Sequence, residues 1–193
     1  MALFKAYDAK VEVNGETVLS VVKGMGSMEK MGMEILVAHG INNPKPGMWY
    51  SQQSWLDAFK YIANKIGAST LKSIGKAIPE NAQWPPSVNN VETALASIDV
   101  AYHMNHRIGL KELFDARTGQ MTEGIGHYAF EKTGDRSAKV VCDNPYPDPF
   151  DQGIIESAAK KFAQTGEIVI VKIDEMAGTR TKGRDKTTFL ITW

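Results

Sequence analysis

The chain has 193 residues, and its 22 lysines and arginines balance 22 aspartates and glutamates, so the formal net charge is zero. A neutral surface has no strong field to hold nucleic acid or an anionic membrane, which leaves small molecules and proteins as the expected partners. At this length we expect one domain, residues 1–193, with a sizeable hydrophobic core.

Cysteine usage and hydropathy indicate the compartment. A single cysteine excludes an intrachain disulfide framework, and the N-terminus MALFKAYDAKVEV lacks the apolar core of a signal peptide. The longest apolar runs are far shorter than the roughly 20 residues that a membrane-spanning helix needs. We therefore expect a cytoplasmic protein without a membrane segment.

Helical signals dominate the first half, residues 1–109. The segment KVEVNGETVLSVV fits either a hairpin around Asn14-Gly15 or a short strand that enters a helix. Apolar spacing over residues 18–39 predicts two helical pieces, because glycines interrupt the pattern.

Capping residues indicate three further helices in this half. Residues 51–67 begin at an N-cap serine, end at a glycine and carry one apolar stripe. A shorter helix is predicted to end before Pro79, because proline removes a backbone donor. Asn90 or its neighbours cap a helix from Val91 to about Arg107.

The second half, residues 110–193, changes from helical to alternating periodicity. We expect four strands and one helix: strands at 126–132, 137–144, 167–175 and 186–193, and a helix at 149–164. Helices first and strands later favour an α+β fold, with an N-terminal helical bundle packed on a C-terminal antiparallel β-sheet.

Several segments resemble a known family. CDNPYP, FDQGII and the terminal TTFLITW are similar to the closing portion of the 4-vinyl-reductase-like (hydrocarbon-binding) domains, which occur in aromatic-responsive bacterial transcription activators and in bacteriochlorophyll biosynthesis. KAIPENAQWPP and ASIDVAYHMNHR look like the helical half of stand-alone members. The fold of this family is related to haem nitric-oxide sensors and to Golgi transport subunits of the TRAPP complex. The resemblance implies a ligand cavity between helices and sheet.

The resemblance also implies four cysteine positions that metal-binding members use for zinc. Here only Cys142 keeps its thiol, and Asp148, Thr179 and Thr187 stand at the other three. Structural zinc takes four sulfur or imidazole ligands, so we expect no metal and a buried, unreactive thiol. The sheet end is then expected to be held by the packing of Ile170, Phe189, Ile191 and Trp193.

Aromatic residues are abundant in the helices and the first strand of the second half. Core packing explains most of them, but apolar ligands are also held in aromatic-lined cavities with few polar groups. The candidate ligand-binding residues are Trp55, Phe59, Trp84, Tyr102, His103, His106 and Tyr128.

Two of these candidates, His103 and His106, lie three residues apart and so share one face of a helix. We expect pocket hydrogen bonding from them, with metal or haem binding as the alternative. Sensors of the wider fold bind haem through a proximal histidine, but their Tyr-x-Ser-x-Arg element for the propionates is absent from this sequence.

A basic strip lies between the last two predicted strands. Its members alternate with Thr, Gly and Asp, which is typical of a solvated turn; they are Arg180, Lys182, Arg184 and Lys186. Neither a phosphate-binding loop nor a dinucleotide fingerprint is present in context.

The sequence therefore predicts a non-enzymatic domain that binds a small hydrophobic or aromatic molecule, without a cofactor. It would signal through a homodimer or a partner protein. The alternatives are a structural or assembly module without ligand, a haem-binding gas sensor, and an accessory factor in tetrapyrrole metabolism.

Overall fold

The computed structural model describes residues 3–193, and over that range the chain forms helices and antiparallel strands, as the predicted α+β class requires. The helices are α1 (Gly15–Gly24), α2 (Glu29–Ala38), α3 (Gln52–Lys65), α4 (Ala68–Asn81), α5 (Val91–Met104) and α6 (Asp148–Lys161). The strands are β1 (Val11–Asn14), β2 (Trp49–Ser51), β3 (His106–Ile108), β4 (Lys111–Glu112), β5 (Phe114–Asp115), β6 (Gln120–Met121), β7 (Tyr128–Gly134), β8 (Ser137–Cys142), β9 (Ile170–Ile173) and β10 (Thr187–Thr192). None of the helices in this range is long and apolar enough to cross a membrane.

Two four-stranded antiparallel sheets draw on different parts of the chain. One has the order β7-β8-β10-β9 and comes from the C-terminal half, as predicted. The other has the order β2-β1-β3-β4 and joins two N-terminal strands to the two strands that follow α5. The first half is therefore not purely a helical bundle, because its own strands hold α1 and α3 at one end of the molecule.

The first segment is a strand that enters a helix, and the alternative hairpin around Asn14-Gly15 is wrong. Val11 and Val13 are buried on one face of β1, as strand alternation requires. The side chain of Asn14 accepts a hydrogen bond from the backbone N–H of Thr17 at 2.9 Å. Asn14 therefore caps α1 instead of forming a turn.

Capping residues correctly predicted where two other helices begin. The Ser51 side chain accepts from the backbone N–H of Ser54 at 3.3 Å, at the start of α3. At the start of α5, Asn90 and Thr93 form a reciprocal capping box. These local hydrogen bonds satisfy donors that a helix N-terminus otherwise leaves free.

Two predicted helix ends are wrong. Helix α4 continues through Pro79 to Asn81, and side-chain donors satisfy carbonyls of its last turn: Asn81 Nδ2 donates to the Ala77 oxygen at 2.7 Å. Helix α5 ends at Met104 instead of about Arg107, because the next residues pair with β1. His106 consequently lies in a strand and not on the helix that carries His103.

Helices α4 and α6 cross at backbone contact through two glycines. A Cβ atom at Gly75 would meet the carbonyl oxygen of Phe150, and one at Gly153 would meet that of Lys72. This close approach fixes the position of α6. It also brings Phe150 and Ile154 against the aromatic residues of α3.

Candidate functional site

An apolar cavity of about 90 Å³ lies where α3, α4, α5 and α6 meet β7. Its aromatic lining residues are Trp55, Trp84, Tyr102, Tyr128, Tyr146 and Phe150. A second, more polar cavity of about 100 Å³ adjoins it, and Thr17, Ile78, Ala82 and Asn105 line both. The second cavity also has Lys23 and Asn81 in its wall.

The structure places most of the candidate ligand-binding residues around this cavity. Those that line it are Trp55, Trp84, Tyr102, His106 and Tyr128. Phe59 lies behind Trp55, with ring centroids 4.7 Å apart, and His103 is buried outside the lining. Sequence reasoning missed Tyr146 and Phe150, although Tyr146 lies within the Pro-rich turn on which the resemblance depends and Phe150 follows it.

Two tyrosine hydroxyls at the cavity are bonded within the protein. Tyr102 donates to the backbone oxygen of Ile125 at 2.7 Å, and Tyr128 donates to the Asp151 carboxylate at 2.6 Å. Burial raises the pKa of both phenols well above its usual value, so both stay protonated. These groups hold the cavity walls and offer no ionisable group to a ligand.

His106 and Tyr146 form a buried polar pair at the cavity. Nδ1 of His106 faces the Tyr102 carbonyl at 2.7 Å and therefore carries the proton, so Nε2 accepts from the Tyr146 hydroxyl at 2.8 Å. Gln52 donates to the same hydroxyl at 2.9 Å. Burial lowers the pKa of His106 to about 4, which keeps the ring neutral. Both ring nitrogens are thus in use inside the protein.

Trp55 carries an unused donor at the cavity. Its side chain is 1% exposed, and its indole Nε1 has no hydrogen-bond partner among residues 3–193. A buried donor without an acceptor costs about 1–3 kcal/mol, so most such groups in folded proteins are bonded.

Arg180 is buried between helix α6 and strand β10, so its prediction as part of a solvated turn is wrong. Its guanidinium donates to Asp148 at 2.6 Å, to Asp151 at 2.5 Å and to the Asn144 backbone oxygen at 2.6 Å. The two carboxylates provide the charge that burial of an arginine requires. The residue is only 4% exposed, although Lys182 nearby is exposed.

Two of the four cysteine-like positions belong to this ionic cluster. Thr187 donates to Asp148 at 2.8 Å, while Thr179 caps the short turn that carries Arg180. Cys142 lies opposite Thr187 in the sheet register, and burial raises the pKa of its thiol well above the usual value. The guanidinium therefore contacts two of the four positions, Asp148 and Thr187.

The expected packing at the sheet end is correct in part. Phe189 and Ile191 are buried in the core, as expected. The expectation for Ile170 is wrong, because this residue is 44% exposed on the edge strand β9. Trp193 is half-buried.

Solved structures with a similar fold belong to haem-containing H-NOX proteins. An H-NOX protein from S. oneidensis in the Fe(II)NO state has a TM-score of 0.63 at 13% identity, covering 92% of this chain and 97% of that one. An oxygen-binding H-NOX domain related to soluble guanylate cyclases has a TM-score of 0.58 at 15% identity, covering 93% and 94%. An unliganded Fe(II) H-NOX variant from K. algicida has a TM-score of 0.59 at 12% identity, covering 93% of this chain and 95% of that one.

These likenesses establish the fold and confirm the expected relation to the haem nitric-oxide sensor fold. No protein-family model matches the chain, and no curated protein does. The resemblance to 4-vinyl-reductase-like domains stays a prediction.

Proposed function

We propose that the chain is a non-enzymatic sensor domain that binds a small, largely apolar molecule in the cavity between its helices and the β7-β8-β10-β9 sheet. The observation that carries this proposal is an aromatic-lined cavity whose wall contains a buried indole N–H without an acceptor. Apolar pockets with a few placed polar groups are the usual form of small-molecule sites.

The cavity dimensions limit the ligand. An apolar cavity of about 150 Å³ holds one benzene molecule, so the inner cavity of about 90 Å³ takes less than a full ring. A single-ring ligand must extend past Ile78 and Ala82 into the adjoining cavity. We therefore expect a phenol-sized molecule whose oxygen accepts a hydrogen bond from Trp55 and whose ring extends toward Asn105.

Haem is the second candidate ligand, because the neighbours in the fold bind it and His103 has a buried Nε2 without a partner in the described chain. The residues present do not fit it. A porphyrin contains four pyrrole rings, far more than cavities of this size accept. His106 lines the cavity but has both nitrogens bonded, whereas His103 lies outside the lining.

Signalling would follow from a change in the arrangement of the helices. The ligand would contact α4, α5 and α6 together, so it would favour the arrangement in which those helices enclose it. A homodimer or a partner protein would transmit that change. Met28 and Met31 lie in the methionine-rich segment MGSMEKMGM, residues 25–33. Both are exposed and accessible to such a partner.

Thermal unfolding with phenol, together with native mass spectrometry of freshly purified protein, tests this proposal. Phenol should raise the unfolding midpoint, and Ala101→Phe, at the cavity mouth, should abolish the shift. Ala96→Phe, at an exposed position of the same helix, is the matched control and should leave the shift intact. No retained small molecule and no phenol shift in the wild type, or equal shifts in both variants, would contradict it.

Trp55→Phe separates the role of the indole N–H from that of the ring. This variant keeps an aromatic wall but removes the donor, so the phenol shift should fall toward that of benzene. If the Trp55→Phe variant prefers phenol over benzene as strongly as the wild type does, the ligand oxygen accepts its hydrogen bond from a group other than Trp55.

A further inference from the structure

A second cluster of polar side chains lies outside the cavity, between α5 and the residues that precede β7. One ligand-type atom from each of Asp99, His103 and His127 lies within 4.8 Å of the others. Nδ1 of His127 is 2.9 Å from Asp99 Oδ2, and the two imidazole rings have centroids 5.1 Å apart. Sequence spacing did not indicate this group, because His127 is distant in the chain.

His103 is oriented as a histidine ligand usually is. Its Nδ1 lies 2.9 Å from the backbone oxygen of Asp99 and therefore carries the proton, which leaves a lone pair on Nε2. Nε2 is fully buried and has no partner within the described chain. Ligating histidines typically donate their other ring N–H to a carbonyl or carboxylate in this way.

The other members of the cluster are also held in place. Asp99 Oδ1 accepts the backbone N–H of Tyr128 at 2.9 Å, which fixes the orientation of the carboxylate. Glu123, on the exposed side, lies 2.8 Å from Nε2 of His127. The His127 ring is partly exposed, so an ion can reach the cluster from solvent.

We propose that Asp99, His103 and His127 form a binding site for a divalent transition-metal ion, with Glu123 accepting from Nε2 of His127 and so orienting that ring. Two imidazoles and a carboxylate suit Zn²⁺ and related ions. Bonds of about 2.0–2.2 Å in a tetrahedron place ligand atoms roughly 3.3 Å apart, so small side-chain movements close the site. This site is independent of the ligand cavity.

A metal ion held by His103 and His106 together, the alternative that their sequence spacing left open, does not fit the geometry. His106 uses both ring nitrogens inside the protein, on Tyr102 and Tyr146, and it belongs to β3. His127 takes its place beside His103. A bound ion would thus connect α5 to the residue that precedes β7.

Isothermal titration of the metal-free full chain with Zn²⁺ tests the proposal, and Co²⁺ absorption reports the coordination. We expect one Zn²⁺ per chain, with affinity at least about tenfold weaker in His127→Gln. His39→Gln is the matched control, since His39 lies at the end of α2 and is not a member of the cluster. It should leave affinity unchanged.

Asp99→Asn provides a second variant, because an amide oxygen can still accept the Tyr128 N–H and keep the loop folded. It should also weaken Zn²⁺ binding about tenfold or more. Absence of stoichiometric Zn²⁺ binding in the wild type would overturn the proposal. Equal affinity losses in His39→Gln and His127→Gln would do the same.

Discussion

At the scale of single residues, a buried charged side chain organises a polar cluster beside the core. The Arg180 guanidinium contacts Asp148 and Asp151, and Thr187 completes the cluster. A buried ion pair adds little net stability over an apolar core, but removing one partner leaves an uncompensated buried charge. Removal of Arg180 is therefore expected to destabilise the fold, because Asp148 and Asp151 would remain buried without a cation.

Arg180→Met is expected to lower the free energy of unfolding by about 3–5 kcal/mol, because it leaves two buried carboxylates without their cation. Urea unfolding followed by circular dichroism measures the change. Arg184→Met, at an exposed position of the same segment, should stay within about 0.5 kcal/mol of the wild type. Similar losses in the two variants would refute the structural role of the buried cluster.

At the scale of elements, the crossing of α4 and α6 determines the shape of the cavity floor. Gly75 and Gly153 allow the two backbones to touch, and Ser157 on α6 donates to the Lys76 backbone oxygen at 3.0 Å. Phe150 and Ile154 then reach the cavity from α6. A methyl group at the crossing would have to push one helix away.

Gly153→Ala is expected to destabilise the protein by about 1–3 kcal/mol, because the new Cβ meets backbone atoms of α4 that cannot rotate aside. The increase in helix propensity would otherwise stabilise the variant by up to about 1 kcal/mol. Thermal unfolding shows whether the variant is less stable or more stable than the wild type. Ser73→Ala, on the exposed face of α4, is the control and should show no loss.

Local signals predicted the elements better than their ends or their partners. Ser51 and Asn90 marked helix starts correctly because a cap depends on the next few residues alone. The continuation of α4 through Pro79 and the entry of His106 into a sheet depend on distant contacts. Likewise, nothing near Arg180 in the sequence indicates Asp151, about thirty residues away, so the cluster could not be anticipated.

At the scale of the whole molecule, the same fold accommodates different interiors. The chain shares its fold with H-NOX proteins at 12–16% identity, a level at which few side chains need coincide. Here the space between helices and sheet holds Trp55, Tyr146 and Phe150 in mutual ring contact. Their packing leaves an apolar cavity of about 90 Å³ beside them. Fold likeness therefore does not determine the ligand in this case.

This packing predicts that the chain takes up no stoichiometric haem. Protein expressed with ample haem should show no Soret absorption after purification, and added haem should leave the unfolding midpoint unchanged. Phenol should raise that midpoint in the same preparation, because it needs only the two adjoining cavities. One haem per chain, lost in His103→Gln but retained in His39→Gln, would show that the aromatic residues separate to admit a porphyrin. It would replace the apolar-ligand proposal with the haem sensor.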